Sequence, residues 1–266
     1  MRFRAKVVSI DCIHHFTNVV NTISKLLKKC TLRLTLDKMY FILPDQVSNG
    51  GVSMWCELKQ ANFFDEYQMD GASKEHNEIY LEIVAENICR ALKSAQNAKS
   101  LKIKLTKKQT PCLTFEVELP SIASNSRLVT HDIPVSVIPR RLWGEYEEQE
   151  MPDFHVSICM PPMKTLKNIA ERLKNLSTYL TIAANQDGDM TMKVETELVS
   201  ATTRFQHLEV PPVTSTDEET QSKDWPQNEF ASARVDIRKF LQFLAGQQIN
   251  PYKVICSKCF DGVAEL

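Results

Sequence analysis

Cys256-Ser257-Lys258-Cys259 carries the two-residue spacing with which a thiolate pair grips zinc or cycles as a redox disulfide. A structural zinc needs two more ligands, and no second such pair and no suitably spaced histidines accompany it. Two ordinary thiols near a terminus are the favoured reading. A redox or metal-binding protein using Cys256 and Cys259 stands as the alternative of another class. His14 and His15 are adjacent on a helical stretch without the carboxylate or third ligand that a metal would want. No P-loop, GxSxG, HExxH or GxGxxG is present. The expectation is a non-enzymatic chain with no catalytic residue, no metal and no cofactor.

The chemistry that the residues do offer is positive charge on helices. Lys and Arg number 32 against 33 Asp and Glu, a net charge of -1, so nothing global announces a polyanion partner. The four segments of helical period (12–30, 85–99, 164–176, 236–245) nevertheless hold about twelve basic residues against three acids. Basic side chains without aromatic neighbours suit phosphates rather than base edges, and stacking platforms for single strands are missing. The expected backbone contacts to duplex DNA are Lys25, Lys28, Lys29, Arg90, Lys93, Lys164, Lys167, Lys174, Arg238 and Lys239.

Those side chains need elements to hold them. Ile13, Phe16, Val20, Ile23 and Leu27 step by three and four, as do Leu166, Ile169, Leu173 and Leu176, and Ile237, Phe240, Leu241 and Leu244. Alternation predicts strands over 3–8, 31–43 (as a pair about Asp37-Lys38), 52–58, 63–69, 79–83, 101–119 (a hairpin), 127–137, 156–160, 178–198 (a hairpin), 200–206 and 230–235. The second long hairpin turns at Asp187-Gly188. Residues 207–228, rich in Pro, Thr, Ser and acids, read as a long loop. No stretch approaches the roughly 18 apolar residues of a membrane span. The 8 cysteines, scattered mostly singly in apolar segments, suit reduced thiols of the cytosol or nucleus.

Residues 133–151, IPVSVIPRRLWGEYEEQEM, follow neither period and read as an extended connector. On its two sides the order repeats: helix then alternating hairpin, later strand then helix. This is an internal duplication of a unit with two helices and many strands.

The blocks TLRLTLDKMYFIL, NGGVSMWCELKQANFFDEYQMDG, VTHDIPVSVIPRRLW and VDIRKFLQFLAGQQINP resemble the hydroxyurea-sensitivity subunits of the nine-one-one checkpoint clamp, relatives of the proliferating-cell nuclear antigen. The likeness runs from Met1 to about Pro251. It implies an α+β DNA clamp fold of two similar domains, each with two helices packed on antiparallel sheets. Residues 1–133 would form the first, 134–153 the connector and 154–266 the second. It implies a heterotrimeric ring with two other Rad-type clamp subunits, threaded on duplex DNA by a replication-factor-C-like clamp loader in the nucleus. There the ring would support checkpoint kinase activation and repair enzymes, with its helices lining the hole. Edge strands 125–133 and 200–206 would meet neighbours, and a partner-peptide groove beneath the connector would use Tyr40, Phe41, Val137, Ile138 and Leu142. A homotrimeric processivity clamp is the alternative within the class. After Gly246 only 20 residues remain, so the second domain is expected to lack one or two strands.

Overall fold

The computed structural model describes residues 1–26, 28–43, 54–120, 127–148, 154–211, 226–244, 251–258 and 264–265. The chain divides into two compact units, 1–148 and 149–266.

In the first unit, β1 (Arg2–Val7) leads into α1 (Ile10–Leu26). Ser9 caps this helix: its hydroxyl accepts from the N–H of Cys12 at 3.4 Å and its carbonyl from Ile13 at 3.0 Å. Asp11 in the first turn and Lys25 in the last suit the helix dipole. There follow β2 (Lys29–Leu34), β3 (Lys38–Leu43), β4 (Met54–Lys59), a single turn α2 (Gln60–Phe63), β5 (Glu66–Asp70) and β6 (Ile79–Val84). After these come α3 (Ala85–Leu92), continued by a 3-10 turn to Ala95, then β7 (Ser100–Lys107), β8 (Pro111–Leu119), β9 (Arg127–Pro134) and β10 (Ser136–Val137). A 3-10 helix, Arg140–Tyr146, completes the unit. The strands form two antiparallel sheets in the orders β5-β1-β7-β8-β9 and β10-β6-β2-β3-β4. Ile13, Phe16, Val20 and Ile23 of α1 and Ile88 and Leu92 of α3 are buried in the core with Leu32, Phe41, Leu81 and Leu101.

In the second unit the chain runs β11 (Val156–Cys159), α4 (Met163–Leu173), β12 (Tyr179–Ala184), β13 (Met190–Glu195), β14 (Ser200–Phe205), β15 (Ala231–Asp236), α5 (Ile237–Leu244), β16 (Ile255–Lys258) and β17 (Ala264–Glu265). Its sheets read β14-β13-β12-β15 and β11-β16-β17. Leu166, Ala170 and Leu173 of α4 join Ile237, Phe240 and Leu244 of α5 in one core with Leu180, Ile182, Met190 and Met192. Gly188 adopts φ +87 at the hairpin turn, and a Cβ there would stand 2.4 Å from the Leu208 carbonyl oxygen, so only glycine fits.

The duplication extends to register. β2 pairs β6 from Lys29↔Val84 to Leu34↔Ile79, and β12 pairs β15 from Tyr179↔Asp236 to Ala184↔Ala231, six pairs each. β3 and β13 continue both sheets in the same alignment, Arg33↔Tyr40 matching Ala183↔Thr191. In the second unit Glu209 O accepts from Cys159 N at 2.8 Å, on the strand equivalent to β1, which β5 pairs. Among the described residues, the sheet equivalent to β5-β1-β7-β8-β9 has three strands, β11, β16 and β17.

Several sequence expectations need correction. The first helix stops at Leu26, and Lys29 opens β2, where pairing with Val84 draws it into the sheet. Within 63–69, residues up to Phe63 form a helical turn and the strand begins at Glu66. The strand expected over 127–137 breaks at Val135, β9 staying in one sheet and β10 joining the other. The connector is not wholly extended: it forms β10 and the 3-10 helix, which pack on the first unit through Tyr80. Residues 212–225 of the expected loop lie outside the described residues.

Candidate nucleic-acid interface

The helices of the first unit run antiparallel. His14 Nε2 meets the Gln96 carbonyl at 2.8 Å, while Cys89 Sγ donates to the Val20 carbonyl at 3.4 Å, six residues further along α1. Their polar sides turn outward together, leaving Asn18 and Lys25 of α1 exposed with Asn87 and Arg90 of α3 and Lys93 of the 3-10 turn that continues it. In the second unit Lys164, Asn168, Arg172 and Lys174 are exposed on or just after α4, as is Arg238 on α5; Lys167 and Lys239 are half-buried. Asp236 accepts from the backbone N–H of Arg238 at 2.8 Å and of Lys239 at 3.1 Å, capping α5.

Of the ten expected contacts, the structure gathers Lys25, Arg90 and Lys93 on one helix pair, and Lys164, Lys167, Arg238 and Lys239 on the other. Lys174 sits at the C-terminal cap of α4. Lys28 follows α1, and Lys29 lies on the sheet, bonded to Glu82 at 2.9 Å. The helical excess is therefore smaller than composition suggested, and Arg90 is already paired with Glu86. Arg172, in the last turn of α4 and within the expected helical segment 164–176, adds a further cation to this helix.

The cations differ in the state of their partners. Of the sheet lysines, Lys6 is paired with Glu66, Lys38 with Glu57 and Lys104 with Glu116, at 3.4, 3.0 and 2.7 Å, while Lys59, Lys102 and Lys107 have no ion pair among the described residues. Lys25, Lys93, Lys164, Lys167 and Arg238 have no carboxylate within ion-pair reach among the described residues. An unpaired, solvated ammonium can meet a phosphate without first breaking a bond to its own chain.

The expected peptide groove is partly corrected. Phe41 is 1% exposed, with its ring 6.4 Å from that of Phe16 in the core, and it lines no surface. Tyr40 lies on the opposite face of β3, as strand alternation requires. Val137 and Ile138 lie against the strand of Tyr80: Val137 pairs with Leu81 and the Ile138 N–H donates to the Tyr80 carbonyl at 2.9 Å, while Leu142 sits in the 3-10 helix beside Trp143, whose ring stacks on Tyr80 at 4.5 Å. A cleft of about 400 Å³ opens beside them, lined by Arg33, Leu36, Glu78, Tyr80 and Trp143. Arg33 grips Glu78 through two hydrogen bonds, 2.9 and 2.8 Å, with its guanidinium between the rings of Tyr40 and Tyr80. Burial alone would push the Glu78 carboxyl up, but those bonds hold it below the usual carboxylate range.

Of the CxxC pair, Cys256 is buried on β16 opposite Ile158, and Cys259 lies outside the described residues.

Two repeats of a helix pair laid on antiparallel sheets define a PCNA-like clamp protein of α+β class. The description "Hus1-like protein" matches residues 1–266, and the chain belongs to that family. It is 56% identical to the human checkpoint protein HUS1 over 257 residues, 97% of this chain and 91% of that protein. A Drosophila melanogaster checkpoint protein Hus1-like is 30% identical over 94% of this chain and 87% of its own length. The Schizosaccharomyces pombe checkpoint protein hus1 is 26% identical over 96% and 88%. The family is one of DNA damage checkpoint clamp proteins.

Proposed function

We propose that this protein is a non-enzymatic subunit of a heterotrimeric ring that encircles duplex DNA in the nucleus and serves checkpoint signalling and repair. The observation that carries the reading is the register-level duplication, in which each repeat presents helix cations without partners among the described residues. Phosphate contact through such side chains is independent of sequence, as a sliding protein requires. β9 and β14 each end a sheet, and these edges are where two different neighbouring subunits would add strands. Arg127, Thr130 and Asp132 on β9, and Thr202 and Arg204 on β14, are exposed along them. In this reading a replication-factor-C-like loader opens the ring, and repair enzymes dock at the cleft beside Trp143.

Co-expression with two candidate Rad-type clamp subunits tests the assembly. A one-to-one-to-one complex from gel filtration with light scattering is the expected result, with this chain alone monomeric. A homotrimer of this chain alone would overturn it in favour of the processivity clamp.

A further inference from the structure

In the first unit, the face of β10-β6-β2-β3-β4 that carries Arg33 is filled and capped. Tyr40, Arg33 and Tyr80 stand side by side across β3, β2 and β6, Trp143 lies on Tyr80, and Tyr80 is 2% exposed. The free side of β6 is closed by β10 through Ser136↔Glu82 and Val137↔Leu81.

Shared register shows what replaces each residue in the second unit. Thr191, Ala183 and Ser232 occupy the positions of Tyr40, Arg33 and Tyr80, so a row of large side chains becomes a row of small ones. Ser232 is exposed where Tyr80 is buried. Among the described residues, β15, the equivalent of β6, pairs with β12 alone and has no counterpart of β10. The edge has also changed sign. Where Lys29 bonds Glu82, the second unit has Tyr179 and Arg234, with the guanidinium 4.4 Å from the ring centroid. At the other end of the small row, Thr191 faces Arg204, and a cleft of about 450 Å³ lies there, also lined by Lys193 and Phe230. Lys193 is paired with Glu195 at 2.6 Å and Asp189 lines the same cleft as Arg204, so the cation that stands at the β15 edge is Arg234.

We infer that the free edge of β15 and the trough beside it take one extended segment of a partner protein, antiparallel to β15, with a bulky aromatic side chain in the trough and an acidic side chain at Arg234. The chain itself fills the equivalent seat of the first unit with β10 and Trp143. An unpaired row of backbone N–H and C=O groups is satisfied by an extended peptide, and alternate side chains then fall on the trough. The reversal from Glu82 to Arg234 selects an acidic occupant.

The test uses the full chain and a dye-labelled synthetic peptide in which glutamates alternate with valines around a central tryptophan. A second peptide carries lysine in place of each glutamate. Fluorescence anisotropy should show the acidic peptide binding at least about tenfold more tightly, and Arg234→Glu should remove about that factor. Ala183→Arg, which refills the trough as in the first unit, should weaken binding as well. Hydrogen exchange should slow at 231–236 with the acidic peptide only. Equal binding of the two peptides, unchanged binding by Arg234→Glu, or protection confined to other strands would overturn the inference. So would displacement of the peptide by a duplex oligonucleotide, or a dimer in sedimentation that Arg234→Glu dissolves, since either puts a different occupant in the seat. Should Arg234→Glu fail to fold, Arg234→Gln provides the same reading.

Discussion

Trp143 lies flat on Tyr80, with 4.5 Å between ring centroids and 25° between ring planes, and its indole N–H donates to the Ile138 carbonyl at 3.0 Å. This contact fastens the 3-10 helix of residues 140–146 to the sheet of the first unit. Trp143→Ala removes the stacking and leaves Tyr80 open to water, and the expected loss is about 2 kcal/mol in urea unfolding. Trp143→Phe should recover about half of it. Equal stability of Trp143→Ala and the native protein would show that this segment is held elsewhere.

Much of this was legible in the sequence, for identifiable reasons. Alternation over 31–43 and 178–198 and the three-and-four stepping of Ile13 to Ile23 are strong periodic signals, and the repeated order emerges from them. Other features depended on pairing between distant segments. Lys29 continues the helical charge pattern of Lys25 and Lys28, but contact with Val84, 55 positions away, makes it a strand residue. Residues 60–63 form a turn too short to display any period. Tyr40 and Phe41 could not both line a groove, since neighbours on a strand face opposite ways, but which one faced the core depended on α1 packing behind Phe41. Arg33, central to the cleft, reads in sequence as one more alternating polar residue because its partners Glu78 and Tyr80 lie further along the chain, beyond three intervening strands.

The Arg33–Glu78 pair makes stability depend on acid pH. A carboxylate held below its unfolded value contributes stability above the ordinary carboxylate range of about pH 4, and loses it as pH falls through its folded value. Glu78→Gln should therefore be less stable than the native chain at pH 7, with the difference shrinking toward pH 3. Thermal melts of both proteins across that range measure it. A constant difference would mean that Glu78 acts by packing alone.

Cys30 is buried and Cys56 half-buried, and desolvation pushes their thiols up to about 12 and about 11. Both thiols therefore stay protonated at pH 8, so native protein should resist iodoacetamide at both positions while urea-unfolded protein reacts much faster. Mass spectrometry of the labelled peptides reads this directly. Rapid native labelling of Cys30 would indicate that β2 opens easily.

Asp236→Ala removes the cap of α5 and should cost about 1 kcal/mol of stability, with Asp236→Asn losing only a few tenths. Because Arg238 and Lys239 receive that cap at their backbone N–H groups, the substitution should also loosen two of the proposed phosphate contacts.

The central claim is tested most directly by salt-resistant retention of the assembled ring on DNA. Loaded with its partner subunits onto closed circular duplex, the native ring should survive a high-salt wash and be released when the circle is cut. A ring with Lys25→Glu, Lys93→Glu and Lys167→Glu together should load poorly and bind linear duplex with a salt dependence shallower by about three phosphate contacts. Release from intact circles as rapid as from linear DNA, or a charge-reversed ring with an unchanged salt slope, would contradict the account.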